Sequence, residues 1–182
     1  MKLLLHHCCA PCSPAAIDEF GKEFELSGFW FNPNIQPKEE NTKRKDSLKQ
    51  YVESLKIPLY FTQENCSDIW NNKNYKDKTD RCKACYELRL NETALNAKKM
   101  GITSFSTTLL SSPHQLHEII RTIGEKIAKD YGLNFVYRDL RKYYYKGKDQ
   151  ARKAGYYIQN YCGCIPSKIE REAEKGKRLR YR

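Results

Sequence analysis

Residues 2–14, KLLLHHCCAPCSP, place a strand, a turn and a helix start in one short stretch. The apolar run Leu3–Leu5 opens a strand read as Lys2–Cys8. Ser13 and Pro14 then supply a capping hydroxyl followed by proline at the first helical position, so a helix to about Phe24 is expected. The alternation continues outward. Leu26–Asn32 reads as a second strand closed by Pro33 and Asn34. In Glu39–Leu55, positions Leu48, Tyr51, Val52 and Leu55 fall at i, i+3, i+4 and i+7, one apolar stripe on a polar surface helix. Pro58–Thr62 is a third strand, and Asp80 is placed to cap a helix running to Met100 and stopped by Gly101. Ser104–Leu110, Gln115–Tyr131 ended by Gly132, and Asn134–Arg138 follow as strand, helix and strand. Strands separated by helices require right-handed crossovers, so the expected fold is α/β, a Rossmann-like three-layer sandwich with a mainly parallel sheet of about five strands. Residues 1–182 are expected to form a single domain. Its core spans 1–141; a helical, basic extension over 142–182 carries a short helix, the YCGC loop and a charged helix from Ser167. Residues 66–79 read as a polar loop.

The chain of 182 residues is long enough to bury roughly two thirds of its unfolded surface without disulfide staples. Met1–Leu5 is too short for the apolar region of a signal peptide, and no segment reaches the length of a membrane span. A cytoplasmic protein with no membrane partner is therefore expected, in a compartment where thiols stay reduced. The formal charge is +11 with pI about 9.2, a balance that draws polyanions. The excess is uneven, since Arg138–Lys153 holds seven Lys or Arg against two Asp. Tyr143, Tyr144 and Tyr145 precede Lys146 and Lys148, setting aromatic faces for unpaired bases beside cations for phosphate. RNA is the expected polyanion, although half-buried tyrosine packing accounts for the same run.

Seven of the eight cysteines fall into three groups: Cys8, Cys9 and Cys12; Cys82 and Cys85; Cys162 and Cys164. The first group follows strand one, where open α/β sheets bind ligands outside the carboxyl ends of their strands. Cys9 and Cys12 make a C-x-x-C at a helix start, where unpaired N–H groups lower thiol pKa values. Cys8 and Cys9 can serve one centre only if the chain turns between them, and Pro11 and Pro14 favour a turn. Cys82 and Cys85 lie three apart near a helix N-terminus, on one face of its first turn. Gly163 lets Cys162 and Cys164 adopt a sharp geometry suited to ligation or to a reversible disulfide. Cys66 stands alone and reads as an incidental thiol. His6 and His7 are candidate ligands or proton donors, or simply strand histidines satisfied in the core. A structural zinc site would use four thiols, fewer than are grouped here. A radical-SAM centre would need a cysteine at position 15, which is Ala15.

The stretches HHCCAPCSP, RCKACYELRL, STTLLSSPHQ and YIQNYCGC, in that order and across nearly the whole chain, resemble the QueH family of epoxyqueuosine reductases. The resemblance implies an oxidoreductase that reduces the cyclopentane epoxide of epoxyqueuosine to the alkene of queuosine at the wobble position of tRNA with a GUN anticodon, fed by an external electron donor. It implies a 4Fe-4S cluster on Cys8, Cys9, Cys82 and Cys85, with Cys162 and Cys164 as a redox pair. An additional mononuclear iron sharing the seven thiols, with Cys12 bound to one centre or the other, is the alternative within the same family. Cys12, Cys162 and Cys164 are the candidate catalytic thiols; His6, His7, Arg141, Lys142 and Tyr144 are candidate substrate contacts. The chain lacks the D-x-H-x-x-G motif associated with cobalamin, so a cobalamin-free route is implied. Two other readings compete. A tRNA sulfur-transfer or PP-loop-like enzyme shares the sheet and basic surface but needs a glycine-rich loop where HCCAPCS stands. A metal-stabilised RNA-binding module would bind tRNA and leave epoxyqueuosine unchanged.

Overall fold

The computed structural model describes residues 1–62, 70 and 74–180. Its centre is a five-stranded, all-parallel sheet in the order β3-β2-β1-β4-β5. Strand β1 (Lys2–His6) lies in the middle, flanked by β2 (Glu25–Trp30) and β4 (Ser104–Thr107). Leu3, Leu4 and Leu5 are each at most 1% exposed, which is why an unbroken apolar run, rather than alternation, marks this strand. Strands β3 (Leu59–Phe61) and β5 (Asn134–Phe135) are the short, more exposed edges. Phe20 on α1 (Ser13–Phe20) enters the main core. Ile17 packs with Leu48 and Val52 of α2 (Lys38–Ser54). Helices α3 (Lys78–Lys99) and α4 (His117–Tyr131) pack together. With right-handed crossovers, the reversal of strand order between β3 and β4 sends this second pair to the opposite face. The switch point between β1 and β4 is thus where a cleft opens at the strands' carboxyl ends.

The expected α/β sandwich is present, with shifts at element ends that have local causes. β1 stops at His6 rather than Cys8, because the Cys8 N–H leaves the ladder and donates to Thr108 Oγ1 at 3.0 Å. α1 stops at Phe20 rather than Phe24; Glu25 must already be extended to donate its N–H to Met1 O at 2.8 Å. α3 begins one turn before the expected Asp80. Asp77 is the cap, accepting from the Asp80 N–H at 2.9 Å, while the Asp80 carboxylate reaches back to the Lys76 N–H. β4 ends at Thr107, whose hydroxyl accepts from the Leu109 N–H and opens the 3-10 turn Thr108–Ser111. Gly132 ends α4 in the left-handed region at φ 69°, as its position in the sequence requires.

The extension holds a 3-10 turn at Arg141–Tyr143, α5 (Tyr144–Lys153) and α6 (Ile165–Arg180), the last starting two residues before the expected Ser167. α5 packs on α1 and on the 3-10 turn Ala10–Cys12. Gly147 faces the Pro11 carbonyl there, and a Cβ would stand 3.3 Å from that oxygen.

Candidate metal and thiol centre

The loop after β1 is fixed from both sides of the switch point. The His7 N–H still donates to Phe29 O at 2.8 Å, whereas the Cys8 N–H has turned to Thr108 beyond β4. Cys9 is extended (φ −177°, ψ 164°), and Ala10–Cys12 then form a 3-10 turn with Pro11 inside it. This turn brings the sulfurs of Cys8, Cys9 and Cys12 within 4.8 Å of one another. Ser13 Oγ donates to Cys9 O at 2.8 Å and Ser111 Oγ to Cys12 O at 2.9 Å, pinning the loop's backbone.

Within this triad the Cys8 thiol is the most readily ionised. Hydrogen bonds from Cys12 and Cys9 hold its thiol well below the usual range, with help from the Arg89 charge and Thr108. Thr108 Oγ1 lies 3.3 Å from Cys8 Sγ. Cys9 and Cys12 are pushed up, Cys9 chiefly by burial and Cys12 by the protons it shares with Cys8 and Cys9. A helix start is expected to lower the Cys9 and Cys12 thiols; in this turn both are raised instead. Gln159 Nε2 donates to Cys9 Sγ at 2.8 Å.

The second group sits deeper along α3 than its expected first turn, because the helix starts at Lys78. Cys82 is half-buried, while Cys85 is buried against Trp70 and Cys164. Burial pushes the Cys85 thiol up to about 12. Cys82 and Cys85 stand outside the 4.8 Å triad, the one such group among the described residues, and Cys12 stands inside it.

The third group is a clamped hairpin. Arg44 of α2 donates to Cys162 O at 2.9 Å and Tyr161 O at 3.1 Å, its Nε pairs with Glu40 at 2.7 Å, and its guanidinium covers the Tyr161 ring. The Gln36 N–H donates to Gly163 O at 2.9 Å, and Ser167 Oγ donates to Cys164 O at 2.7 Å. Gly163 has φ 147°, and a Cβ there would lie 3.0 Å from Ile35 Cγ1 and 3.1 Å from Asn34 Nδ2, so only glycine fits. Cys164 is buried and Cys162 is exposed. Gln115 links Cys162 to α3, donating to its sulfur at 3.3 Å and accepting from the Tyr86 hydroxyl at 2.8 Å.

His6 and His7 lie within the fold. The His6 Nε2–H donates to Phe31 O, so Nδ1 accepts from Thr107 Oγ1; burial lowers its pKa to about 3. Because Ser13 Oγ donates to Cys9 O, His7 Nδ1–H donates to Ser13 at 2.8 Å; burial lowers this pKa to about 4. Arg141 is held by Asp139, and Lys142 lies over the Tyr143 ring. Tyr144 packs edge-on against His114 and Tyr145, and burial, aided by the nearby triad, pushes its phenol up to about 12. Cys66 lies outside the described residues.

Among the contacts with thiols or their hairpin that were not assigned from the sequence are Arg44, Arg89, Thr108, Gln115 and Gln159. Arg89 had a readable signal, since it follows Cys85 by one helical turn and shares its face. Gln115 and Gln159 lie inside the quoted motifs. Arg44 reaches its partners across more than a hundred residues, and nothing local announces it.

A doubly wound α/β domain with a cysteine centre at its switch point defines the class of this protein. Residues 3–170 match the family described as epoxyqueuosine reductase QueH. A relative of that name from Dehalococcoides mccartyi is 36% identical over 172 residues, covering 93% of this chain and 94% of the relative. One from Thermotoga maritima is 36% identical over 178 residues, covering 93% and 91%. Another, from Acinetobacter baylyi, is 31% identical over 181 residues, covering 91% and 80%. The chain belongs to the epoxyqueuosine reductase QueH family. Among the described residues no helix is long and apolar enough to cross a membrane.

Proposed function

We propose that this protein reduces epoxyqueuosine to queuosine in tRNA with a GUN anticodon, using an iron–sulfur centre and an external electron donor in the cytoplasm, without cobalamin. The reaction consumes two electrons and two protons, converts an epoxide to an alkene and releases one water. The donor set fits an iron–sulfur group. Thiols exceed the four of a tetrahedral zinc site, one of them is held well below the usual thiol range, and a buried cation stands ready to balance an anionic cluster. When bound, such a group supplies single electrons in succession and a Lewis-acidic iron.

We assign Cys8, Cys9, Cys82 and Cys85 to hold a 4Fe-4S cluster, with Cys12 available to an adjacent mononuclear iron. The observation that supports a metal–thiol centre is the convergence of the Cys8, Cys9 and Cys12 sulfurs within 4.8 Å of one another at the switch point. Cys162, the more exposed residue of its pair, is the one placed towards the substrate, and Cys164 completes a redox pair with it. Both histidines are buried with lowered pKa values, which favours a thiol over an imidazolium as the proton source for the leaving oxygen. The Tyr144 phenol keeps its proton and can donate a hydrogen bond to the substrate. Arg141 and Lys142, on the basic face that leads into α5, meet phosphate.

Nucleoside mass spectrometry of tRNA from a strain lacking this gene tests the proposal. Accumulated epoxyqueuosine, cleared by the wild-type gene and not by a Cys8→Ser copy, is expected. Normal queuosine in the deletion strain would reject it, as would binding of tRNA with the epoxide left intact.

A further inference from the structure

Arg89 is only 2% exposed, yet no carboxylate among the described residues pairs with it. Its Nη1 donates to Cys85 Sγ at 3.6 Å, its Nη2 donates to Asn32 Oδ1 at 2.6 Å, and its Nε–H has no partner. Arg44 shows the usual solution for the same side chain: equally buried, it is paired with Glu40 and two carbonyls. A guanidinium cannot shed its proton to escape burial, so an unpaired one needs another anion nearby.

The orientation of Arg89 is also built. Asn32 accepts from it and donates its own amide to His7 O at 2.8 Å, the backbone directly before Cys8. The loop that carries the triad therefore aims the cation, while α3 anchors it beside Cys85. Besides the contact with Cys85, its charge is coupled to Cys8 and Cys162, so it acts on a thiol of each cysteine group.

We propose that Arg89 is the fixed counter-ion of the thiolate centre, a positioning residue that raises its reduction potential and holds its ligands together. This rests on the iron–sulfur reading above. A cation close to the centre stabilises the more negative, reduced state, so electrons enter more easily. The unpartnered Nε–H adds a donor for sulfur. The competing role is a purely mechanical tie between α3 and the loop after β2.

The test compares wild type, Arg89→Lys and Arg89→Gln after anaerobic reconstitution, by iron and sulfide content and by EPR-monitored potentiometry. The Gln variant is expected to show a lowered midpoint potential, and the Lys variant a potential close to wild type. Cobalt(II) titration of the metal-free proteins, followed by thiolate charge-transfer absorption, gives a readout that needs no cluster. Loss of the charge should weaken cobalt binding by about tenfold or more, with Lys recovering most of it. An unchanged potential in the Gln variant overturns the proposal, as does a Lys variant that shifts as far as Gln. Where the Gln variant fails to load or to fold, the Lys variant decides: near-wild-type potential and cobalt affinity support the counter-ion, and loss of either rejects it. A wild type without any cluster signal would sink the iron–sulfur reading instead, leaving the cobalt comparison to judge Arg89.

Discussion

The two ends of the thiol centre are built in opposite ways. The Cys8–Cys12 loop is a contiguous motif: one strand end, one 3-10 turn and the hydrogen bond from Ser13 to Cys9 O bring three sulfurs within 4.8 Å, and Thr108 and Ser111, from the turn after β4, support it by accepting from the Cys8 N–H and donating to Cys12 O. The Cys162–Cys164 hairpin is held by residues far away in the chain, above all Arg44. A contiguous motif can carry its own geometry, so changing its chemistry should leave its shape. A clamped hairpin borrows its geometry, so changing the clamp should cost shape and stability before it touches the metal.

The largest effect falls on the local side. Cys8→Ser removes the most readily ionised thiol of the triad, and should lower activity by at least about 100-fold, more than loss of an outer partner of a ligand costs. Iron content and turnover of epoxyqueuosine tRNA check this, while urea unfolding of the metal-free chain should barely move. Arg44→Met reverses the pattern. It leaves the buried Glu40 carboxylate with the Tyr157 hydroxyl but without its Arg44 cation, and should destabilise the fold by about 3–5 kcal/mol in urea unfolding, as broken buried pairs do. Gly163→Ala strains one residue at φ 147° and crowds Ile35 and Asn34, for a cost of about 1–3 kcal/mol. If the triad is independent of the hairpin, cobalt affinity in this variant stays within about twofold of wild type, well short of what changing an outer partner of a ligand costs; a larger loss would join the two regions into one cooperative unit.

A smaller effect is set by pH. His6 is neutral in the fold with a pKa of about 3 against 6.5 when exposed. Its contribution is complete above pH 6.5 and is lost as the pH falls towards 3, because the unfolded chain takes up the proton first. The metal-free protein should lose about 2 kcal/mol between pH 6.5 and about pH 5 from this group. Urea midpoints across that range check it, and His6→Gln should flatten the slope.

Much of this was legible in the sequence because it is local. The Leu3–Leu5 run marked the central strand, Pro11 and Pro14 marked the turn, and Gly132 marked the helix end. What escaped has a common physical origin in competition between nearby groups or in long-range contact. Asp77 outcompeted Asp80 as the cap of α3, which moved Cys82 and Cys85 off the first turn. The proton balance among Cys8, Cys9 and Cys12 depends on which sulfur accepts in a turn whose exact path the spacing leaves open. The roles of Arg44 and Arg89 depend on partners that only the fold brings within reach.

The central claim is that these thiols carry an iron–sulfur centre that deoxygenates a tRNA epoxide. The most direct measurement is single-turnover reduction of epoxyqueuosine tRNA by anaerobically reconstituted protein with a chemical reductant, alongside the same protein loaded only with zinc. Queuosine formed by the iron–sulfur form, with none from the zinc form, is the expected result; full conversion by the zinc protein would contradict the account.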